Sequence, residues 1–387
     1  MNLVFVGLKG VPYLKRACDV RLASFANILS EKNDVTILNR YCSNPLNKDL
    51  VINQNVNIIE IINKKKVYRK AIEFFLFMIS IIIEPFRLIG ISRRKEIDIL
   101  HVYSGHFFDF ILYYVMSNII GAKVVYQYVE VRTAKKNEGL YHKINSYLVD
   151  NYGYKFFDGV ISISEYISEQ LKRHSAKLPV IKIPPICNIL YFDALSQQIV
   201  HSNKDYILFC GSANYFEPIK LIVDSYKESK LFPNCKLYLV LSGSSDSLNK
   251  VKQLLTESMV ILTELPYESL IKLYMGAKAL LIPLRNTTED TARFPNKICE
   301  YTASKGLLIT TNYGEVKNYF KDNYNALIAD EFSVTSYTGK LNQLFEISDT
   351  QLKAMQNRSY EVCKESFDID VYKDVLHSFL LKIIDNK

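Results

Sequence analysis

Short apolar runs alternate with helical stretches along most of this chain, and that alternation limits the folds open to it. Runs such as Asn2–Gly7 and Lys123–Tyr128 are typical of strands that are buried on both faces of a parallel sheet. Intervening stretches with helical spacing, such as Val20–Leu29, predict crossover helices. The pattern therefore predicts an α/β chain. Its first predicted strands are Asn2–Gly7, Asp34–Leu38, Ile97–Val102, Lys123–Tyr128 and Gly159–Ser164.

The alternation restarts at Asp205, after a polar, Pro-containing stretch near residues 185–204. A chain of 387 residues fits two domains at about 100–200 residues each. We therefore predict two doubly wound α/β domains, at 1–195 and 204–365, and a terminal amphipathic helix at 366–387. A ligand site in a cleft between two such domains is the default expectation.

Composition excludes several classes of protein. Apolar residues make up 49% of the chain and charged residues 23%, which is enough apolar material for a core and excludes disorder as the main state. The seven cysteines form no CxxC motif and no zinc-ligand spacing with His, which indicates buried thiols in a reducing cytosol. The N-terminal MNLVFVGLKGV lacks the charged segment of a signal peptide and predicts a first strand. The net charge of +8 fits an anionic ligand, a membrane surface or nucleic acid without choosing among them.

Sequence motifs for several common chemistries are absent. The chain has no GxGxxG fingerprint, no GxxxxGK[ST] phosphate loop, no HExxH and no GxSxG. Its cations are not interleaved with strand-borne aromatics, as an RNA-binding sheet requires. We therefore expect no metal, no resident cofactor and no nucleic-acid partner.

The segment 64–95 combines a ten-residue apolar run, Phe74–Ile83, with basic clusters on both sides. A transmembrane helix is not expected, because a span needs about 20 apolar residues and the flanking residues interrupt any longer run. Two interpretations stay open: a core-facing helix with basic ends, or a helix in a membrane interface with its cations on anionic headgroups. The interrupting residues are Glu73, Glu84, Pro85 and Arg87, and the basic clusters are Lys64, Lys65, Lys66, Arg69 and Lys70 before the run and Arg93, Arg94 and Lys95 after it.

The stretch 279–311 holds most of the candidate site. A buried strand ends at Pro283, and a polar loop then leads to a helix that carries Glu300 and ends at Gly306. Strand, loop and helix N-terminus in this order form an anion site at the carboxyl edge of a parallel sheet. Glu300 can accept hydrogen bonds from two vicinal ribose hydroxyls while Lys297 faces phosphates; alternatively, Glu300 is simply solvated. The charged residues of the loop are Arg285, Glu289, Asp290 and Arg293.

The sequence FPNKICEYTASKGLLITTNYGEVKNYFKDNYNALIAD resembles the donor-site segment of the large retaining family of GT-B glycosyltransferases called GT4. Three other segments resemble, in order, the end of the family's first domain, the crossover and the start of its second domain. They are FDGVISISEYISEQLKR, VIKIPPICN and YILFCGSANYFEPIKLIVDSY. The resemblance implies a GT-B fold, with two Rossmann-like domains facing a cleft and a C-terminal helix that returns to the first domain.

The resemblance also implies an activity and a division of labour. The second domain would bind a nucleotide-diphospho-sugar, with UDP or GDP, and the first domain would bind the acceptor. Transfer would be metal-independent and would retain the anomeric configuration, so basic side chains and helix N-termini must stabilise the leaving diphosphate. The implied donor-binding residues are Gly211, Ser212, Arg293, Pro295, Asn296, Lys297 and Glu300, of which Lys297 also counts as catalytic.

Three positions of the second domain depart from the family pattern. Relatives usually carry Arg at the place of Ser212 and a Lys near the place of Glu217, and many have a Glu at the place of Ala292. Other cations of the domain would have to replace the missing basic pair. The candidates are Arg285, Arg293 and Lys297.

The first domain contributes three groups of candidates. Glu130 stands where relatives often have a His at a strand end, and it either acts near the reacting centre or only pairs with Arg132. His106 follows another strand and either faces the cleft as a catalytic group or has a structural role. The third group belongs to the loop that in this fold faces the acceptor or the donor diphosphate, unless it forms a solvated face. It comprises Gly10, Lys15 and Arg16.

Together these observations predict a cytoplasmic glycosyltransferase of hexosyltransferase type. The expected acceptor is a glycan or a polyprenyl-diphosphate-linked glycan of a bacterial capsule or O-antigen polysaccharide, with peripheral contact to an anionic membrane through residues 64–95. Two alternatives stay open: a GT-B nucleotide-sugar epimerase, and a non-catalytic GT-B partner subunit that lost its phosphate-binding cations.

Overall fold

The chain folds into two compact units, and it enters the first unit twice. The computed structural model describes residues 1–8, 17–42, 53–63, 70–135, 139–198 and 205–385. Unit 1 comprises Met1–Pro184 and Ile369–Lys387, and unit 2 comprises Pro185–Asp368.

Unit 1 is built on a seven-stranded parallel sheet. Its strands are β1 (Asn2–Leu8), β2 (Asp34–Cys42), β3 (Val56–Asn63), β4 (Ile99–Val102), β5 (Lys123–Tyr128), β6 (Gly159–Ser162) and β7 (Val180–Lys182). The strand order is β3-β2-β1-β4-β5-β6-β7. Every residue of β4 and β6 is buried, as expected for central strands that are covered on both faces.

The helices of unit 1 cover the sheet. They are α1 (Ala17–Ser30), α2 (Lys70–Ser92), α3 (Phe107–Ile120), α4 (Leu140–Tyr152), α5 (Glu165–His174) and α15 (Lys373–Asp385). α1 contacts α15, whereas α2 contacts α3 and α3 contacts α4. Right-handed crossovers place α1 on one face of the sheet and α2, α3 and α4 on the other, because the chain reverses direction across the sheet between β3 and β4.

The terminal helix α15 completes unit 1. Lys32 Nζ lies 2.6 Å from an Asp374 carboxylate oxygen, and Ile383 is buried against Gly159 of β6. The predicted return of the C-terminal helix to the first domain is therefore confirmed.

Unit 2 is built on a six-stranded parallel sheet with the order β10-β9-β8-β11-β12-β13. Its strands are β8 (Tyr206–Ser212), β9 (Lys236–Ser242), β10 (Met259–Leu262), β11 (Ala279–Ile282), β12 (Leu308–Thr311) and β13 (Ala326–Ala329). Its helices are α6 (Ile189–Ser196), α7 (Phe216–Glu228), α8 (Ser245–Lys252), α9 (Tyr267–Gly276), α10 (Thr288–Ala292), α11 (Lys297–Ala303), α12 (Val316–Tyr319), α13 (Val334–Glu346) and α14 (Asp349–Ser366). Two parallel sheets of Rossmann-like type confirm the predicted fold class.

The units separate at the start of the stretch near 185–204 where the sequence predicted the join, at Pro184–Pro185. The predicted first domain extended to residue 195, whereas residues 185–195 belong to unit 2. The segment that follows is not a linker at its start, because α6 packs against α9 and α11 of unit 2. The polar, Pro-containing composition of this stretch hid an eight-residue helix.

The apolar run predicted within residues 64–95 is part of a longer helix. α2 has 23 residues and continues through Pro85, and its residues Phe74–Ser92 are long and apolar enough to cross a membrane by length and composition alone. The helix also has a buried side, with Ser80, Glu84 and Leu88 against the rest of unit 1. Of the predicted basic cluster before it, Lys64, Lys65, Lys66 and Arg69 lie outside the described residues.

Candidate functional site

The candidate site of unit 2 lies at the carboxyl edge of its sheet. β8, β11 and β12 are neighbours and run parallel, so their carboxyl ends meet at one edge. The backbone N–H of Leu284 donates a hydrogen bond of 2.8 Å to Oγ1 of Thr311, which fixes the start of the loop after β11 to the end of β12. This loop carries most of the residues that the sequence singled out.

Lys297 and Glu300 form a buried ion pair at the start of α11. Lys297 Nζ lies 2.7 Å from Glu300 Oε2, and the Glu300 side chain is only 2% exposed. The Tyr267 hydroxyl lies 3.4 Å from Glu300 Oε1. Burial alone would lower the pKa of Lys297, but the charge of Glu300 outweighs it and raises the pKa above its usual value. Glu300 is therefore not simply solvated.

The aromatic residues beside this pair anchor α11. The Tyr301 hydroxyl accepts a hydrogen bond of 3.0 Å from the backbone N–H of Cys210, the residue before Gly211 at the end of β8. Phe294 is buried and stacks on Tyr319 with ring centroids 5.3 Å apart. Tyr301 thus ties α11 to the end of β8, where Gly211 and Ser212 also lie, and Pro295 and Asn296 directly precede α11.

A second charged cluster surrounds Asp290, which is 1% exposed. Its carboxylate accepts hydrogen bonds of 2.8 Å from Arg285 Nε and 2.7 Å from an Arg293 guanidinium nitrogen. Burial acts to raise the pKa of Asp290, but these two cations hold the pKa below its usual range. Arg293 also donates to the Tyr215 hydroxyl and stacks over the Tyr215 ring.

The two arginines that would replace the missing basic pair are already matched by carboxylates. Besides Asp290, Arg285 donates to Glu289 at 2.9 Å and to Glu217 at 3.1 Å. Glu217 is the residue that stands where the family places a Lys. The structure therefore has a carboxylate on α7 at the place of the family's Lys, and this carboxylate pairs with a cation on the loop after β11. Sequence inspection missed this pairing because its two residues are 68 positions apart.

Unit 1 brings the predicted residues His106 and Glu130 to the carboxyl edge of its own sheet, after the neighbouring strands β4 and β5. Glu130 is paired with Lys135 at 2.8 Å and with Arg132 at 3.8 Å. Burial, with the charge of Arg132 also contributing, lowers the pKa of His106, although Asp109 opposes the shift. The Arg132 guanidinium lies against the backbone of Gly105, so closely that a Cβ there would clash with it.

A buried polar network lies beneath this edge and was missed by sequence inspection. Arg40 on β2 donates to Glu84 at 2.6 Å and to both carboxylate oxygens of Asp109, at 2.7 and 3.0 Å. Tyr113 donates to Glu84 at 2.9 Å. Burial raises the pKa of Glu84 even though Arg40 opposes it. The sequence signal that could have revealed this network is a single charged residue inside an otherwise apolar element, such as Glu84 in α2 and Asp109 in α3.

The remaining predicted residues cannot be placed. Gly10, Lys15 and Arg16 lie outside the described residues. Across the described part of the chain, no group of three or more His, Cys, Asp or Glu side chains is arranged to hold a metal ion.

Comparison with known proteins finds a family match within the second unit. Residues 192–362 match the family described as glycosyl transferases group 1. The matched residues include the Lys297–Glu300 pair and Asp290 with its two arginines. No curated protein matches the sequence.

Solved structures extend the likeness to the fold of the whole chain. Sucrose-phosphate synthase from Thermosynechococcus elongatus has a TM-score of 0.77 at 12% identity, with 100% of both chains covered. A glycosyltransferase from Rickettsia africae has 0.68 at 17% identity, covering 100% of this chain and 99% of its own. HepE from Anabaena, in complex with UDP and glucose, has 0.71 at 13% identity, covering 98% and 99%. The predicted GT-B fold is confirmed.

Proposed function

We propose that the chain transfers a sugar from a nucleotide-diphospho-sugar, with UDP or GDP, to a glycan or lipid-linked acceptor. Unit 2 binds the donor, and unit 1 binds the acceptor. The bond between the anomeric carbon and the diphosphate oxygen breaks, and the nucleoside diphosphate leaves with the bonding electron pair. A bond from that carbon to an acceptor hydroxyl oxygen forms with retention of configuration, and the hydroxyl proton is released. The expected setting is surface polysaccharide synthesis. From the resemblance to the GT4 family we expect the reaction to be metal-independent.

The observation that carries this proposal is the buried Lys297–Glu300 pair beside the end of β8. A carboxylate that accepts from one ammonium and one tyrosine hydroxyl still keeps lone pairs for further donors, and vicinal ribose hydroxyls supply two donors. Lys297 then fixes the position of Glu300 instead of contacting phosphate. The complexes of HepE with UDP and with UDP-glucose support a nucleotide-sugar as the donor of this chain as well.

The leaving diphosphate needs positive charge as it develops. Arg285 and Arg293 lie in the segment between β11 and α11, and Asp290 binds both. Glu217 is largely exposed, with a side-chain exposure of 70%, so a diphosphate can displace it from Arg285 at little cost. We infer that the donor competes with Glu217 for Arg285.

Titration calorimetry with UDP and GDP tests the donor site. Glu300→Gln keeps a partner for Lys297 but removes the carboxylate, and we expect it to weaken nucleotide binding by about 1.5–3 kcal/mol, the net worth of hydrogen bonds to a charged group. Circular dichroism establishes that the variant is folded. Glu257→Ala, an exposed carboxylate of the same domain, is the matched control. Unchanged affinity of Glu300→Gln for both nucleotides contradicts the assignment.

One observation favours a second candidate function, that of a non-catalytic partner subunit. Both arginines that would bind the diphosphate are balanced by carboxylates, which is the expected result if the phosphate site has decayed. Thermal-shift measurements with UDP-, GDP- and ADP-sugars separate the two functions. A rise in melting temperature with one of them supports the enzyme, and no shift with any of them supports the partner subunit.

A further inference from the structure

Unit 1 exposes an apolar surface that is built from three neighbouring helices. α2 contacts α3, and α3 contacts α4. Each helix presents large apolar side chains to solvent at helical spacing, so the exposed residues form stripes. We call these stripes together the three-helix face. It comprises Phe75, Met78, Ile82 and Phe86 on α2, Phe108, Ile111, Val115 and Ile119 on α3, and Leu140, Ile144 and Tyr147 on α4.

The exposure of this face is not a matter of a few scattered side chains. Ile82, Phe86 and Leu140 are 66%, 71% and 75% exposed. Monomeric soluble proteins rarely expose contiguous apolar patches of this kind, and larger ones mark interaction sites. The opposite sides of the helices are already used, because Glu84 of α2 and Asp109 of α3 both bind Arg40 of the sheet. The apolar stripes therefore face solvent, on the side of each helix away from the sheet.

The exposed charges that the structure describes around the face are mainly positive. The acidic side chains that the structure describes on α2, α3 and α4 are all buried, and they are Glu84, Asp109 and Asp150. The exposed charged side chains on or directly after these helices are mainly cations: Arg87, Arg93, Arg94, Lys143 and Lys155, with Glu96 as the exception. Lys95 is paired with Asp34. An apolar surface with a cationic rim is complementary to a bilayer with anionic headgroups.

Exposed tyrosines occupy the same helices. Tyr114, Tyr141, Tyr147 and Tyr152 are each at least 40% exposed. A tyrosine places an apolar ring and a polar hydroxyl at the boundary between hydrocarbon and water, and it is enriched there in membrane proteins. A protein partner would not require this combination of tyrosines and a mainly cationic rim.

We propose that the three-helix face docks unit 1 on a membrane surface that contains anionic lipids. The proposal extends the contact predicted for residues 64–95 to α3 and α4. It does not rest on the proposed glycosyl transfer, because a bilayer can bind this face whether or not unit 2 binds a nucleotide. For an enzyme with a lipid-linked acceptor, the face also brings unit 1 to the surface where that acceptor resides.

The helix α2 lies on the membrane in this proposal and does not cross it. Glu84 sits in the middle of α2 and accepts hydrogen bonds from Arg40 at 2.6 Å and from Tyr113 at 2.9 Å. A crossing helix would leave this network and carry Glu84 into hydrocarbon, where a charged group is costly. The ion pair with Arg40 therefore holds α2 against the sheet, with only its apolar stripe facing lipid.

Flotation of the full chain with vesicles tests the proposal. We expect binding to phosphatidylcholine vesicles that contain phosphatidylglycerol and much weaker binding to phosphatidylcholine alone. Replacing three cations (Arg87→Gln, Arg93→Gln, Arg94→Gln) removes the attraction of three charges and is expected to weaken binding by roughly 100-fold at low salt. The same number of exposed cations on unit 2 provides the control: Lys250→Gln, Lys252→Gln and Lys317→Gln.

The apolar part of the face is tested outside residues 64–95. Ile111→Gln, Ile119→Gln and Leu140→Gln together are expected to abolish flotation, whereas Val375→Gln and Leu381→Gln, exposed apolar residues on α15, leave it unchanged. Circular dichroism shows whether each variant is folded. Equal flotation with neutral vesicles, or flotation that survives the α3 and α4 substitutions, overturns the proposal. Absence of flotation together with a dimer that the same substitutions dissociate in analytical ultracentrifugation assigns the face to a second copy and also overturns it.

Discussion

His101 is a buried polar residue of unit 1 that lacks a hydrogen-bond partner among the described residues. It lies on β4, is fully buried, and stacks on Phe5 with ring centroids 4.4 Å apart. Neither of its ring nitrogens has a hydrogen-bond partner among the described residues. Burial, with a smaller contribution from the charge of Arg21, lowers the pKa of His101 to about 3.

This histidine makes unit 1 sensitive to acid. The pKa is near 6.5 in the unfolded chain and lower in the folded one, so the unfolded state binds the proton more readily. Stability is complete above about pH 6.5 and falls as the pH drops towards 3, with a loss of about 2 kcal/mol at pH 5. Urea unfolding at both pH values measures it. His101→Leu is expected to remove this loss, while His174→Leu, on the exposed end of α5, keeps it. A His101 imidazole that titrates near pH 6.5 in NMR spectra of the folded protein contradicts the prediction.

At the level of single residues, the sequence predicts some site geometry but not its charge balance. The spacing of Lys297 and Glu300 places both side chains on one face of a helix, so their proximity follows from the local pattern. The contact of Arg285 with Glu217 does not, because it joins a loop to a helix that only the folded sheet brings together. The same holds for Arg40 and Asp109, whose burial no local pattern records.

At the level of elements, apolar runs predicted the central strands well. β5 is found at Lys123–Tyr128, as predicted, because a strand covered on both faces forms a mainly apolar run. The edge strands β3 and β7 were missed. β7 has three residues that are only partly buried, so it lacks that signal. α2 was cut short because Glu84 and Pro85 suggest an end, whereas Arg40 satisfies Glu84 in the folded unit.

The contact between β6 and α15 depends on a glycine. A Cβ on Gly159 would lie 2.2 Å from Cδ1 of Ile383, whose side chain is buried. Gly159→Ala should therefore destabilise unit 1 by about 1–3 kcal/mol, the usual cost of overpacking. Gly90→Ala is the control, because nothing lies within 4 Å of a Cβ there and alanine favours a helix.

A double-mutant cycle separates this clash from a backbone effect. Ile383→Val removes a methyl group and should restore part of the stability that Gly159→Ala loses, measured as free energies of unfolding in urea. Additive losses in the double variant would mean that the two residues do not meet as described.

At the level of the whole molecule, unit 1 is discontinuous in sequence, because its last helix follows all of unit 2. The group 1 match ends at residue 362, before α15 begins. The family match therefore lies within unit 2 and does not include the helix that returns to unit 1. Sequence reasoning could assign the return only through resemblance, because an amphipathic terminal helix does not reveal which surface it covers.

Ending the chain after Asp368 tests what this return contributes. Three large apolar side chains of α15, namely Leu376, Leu380 and Ile383, are buried, and each stabilises unit 1 by about 1.5–3 kcal/mol at most. We expect faster hydrogen exchange throughout β1–β6 and unchanged exchange in β8–β13, since unit 2 keeps its complete sheet. Adding a peptide of residues 369–385 in trans should restore protection, and a chain that ends at Asp385 should behave as the full chain. Unchanged exchange in unit 1 after truncation would show that α15 is an accessory to that unit and not part of its core.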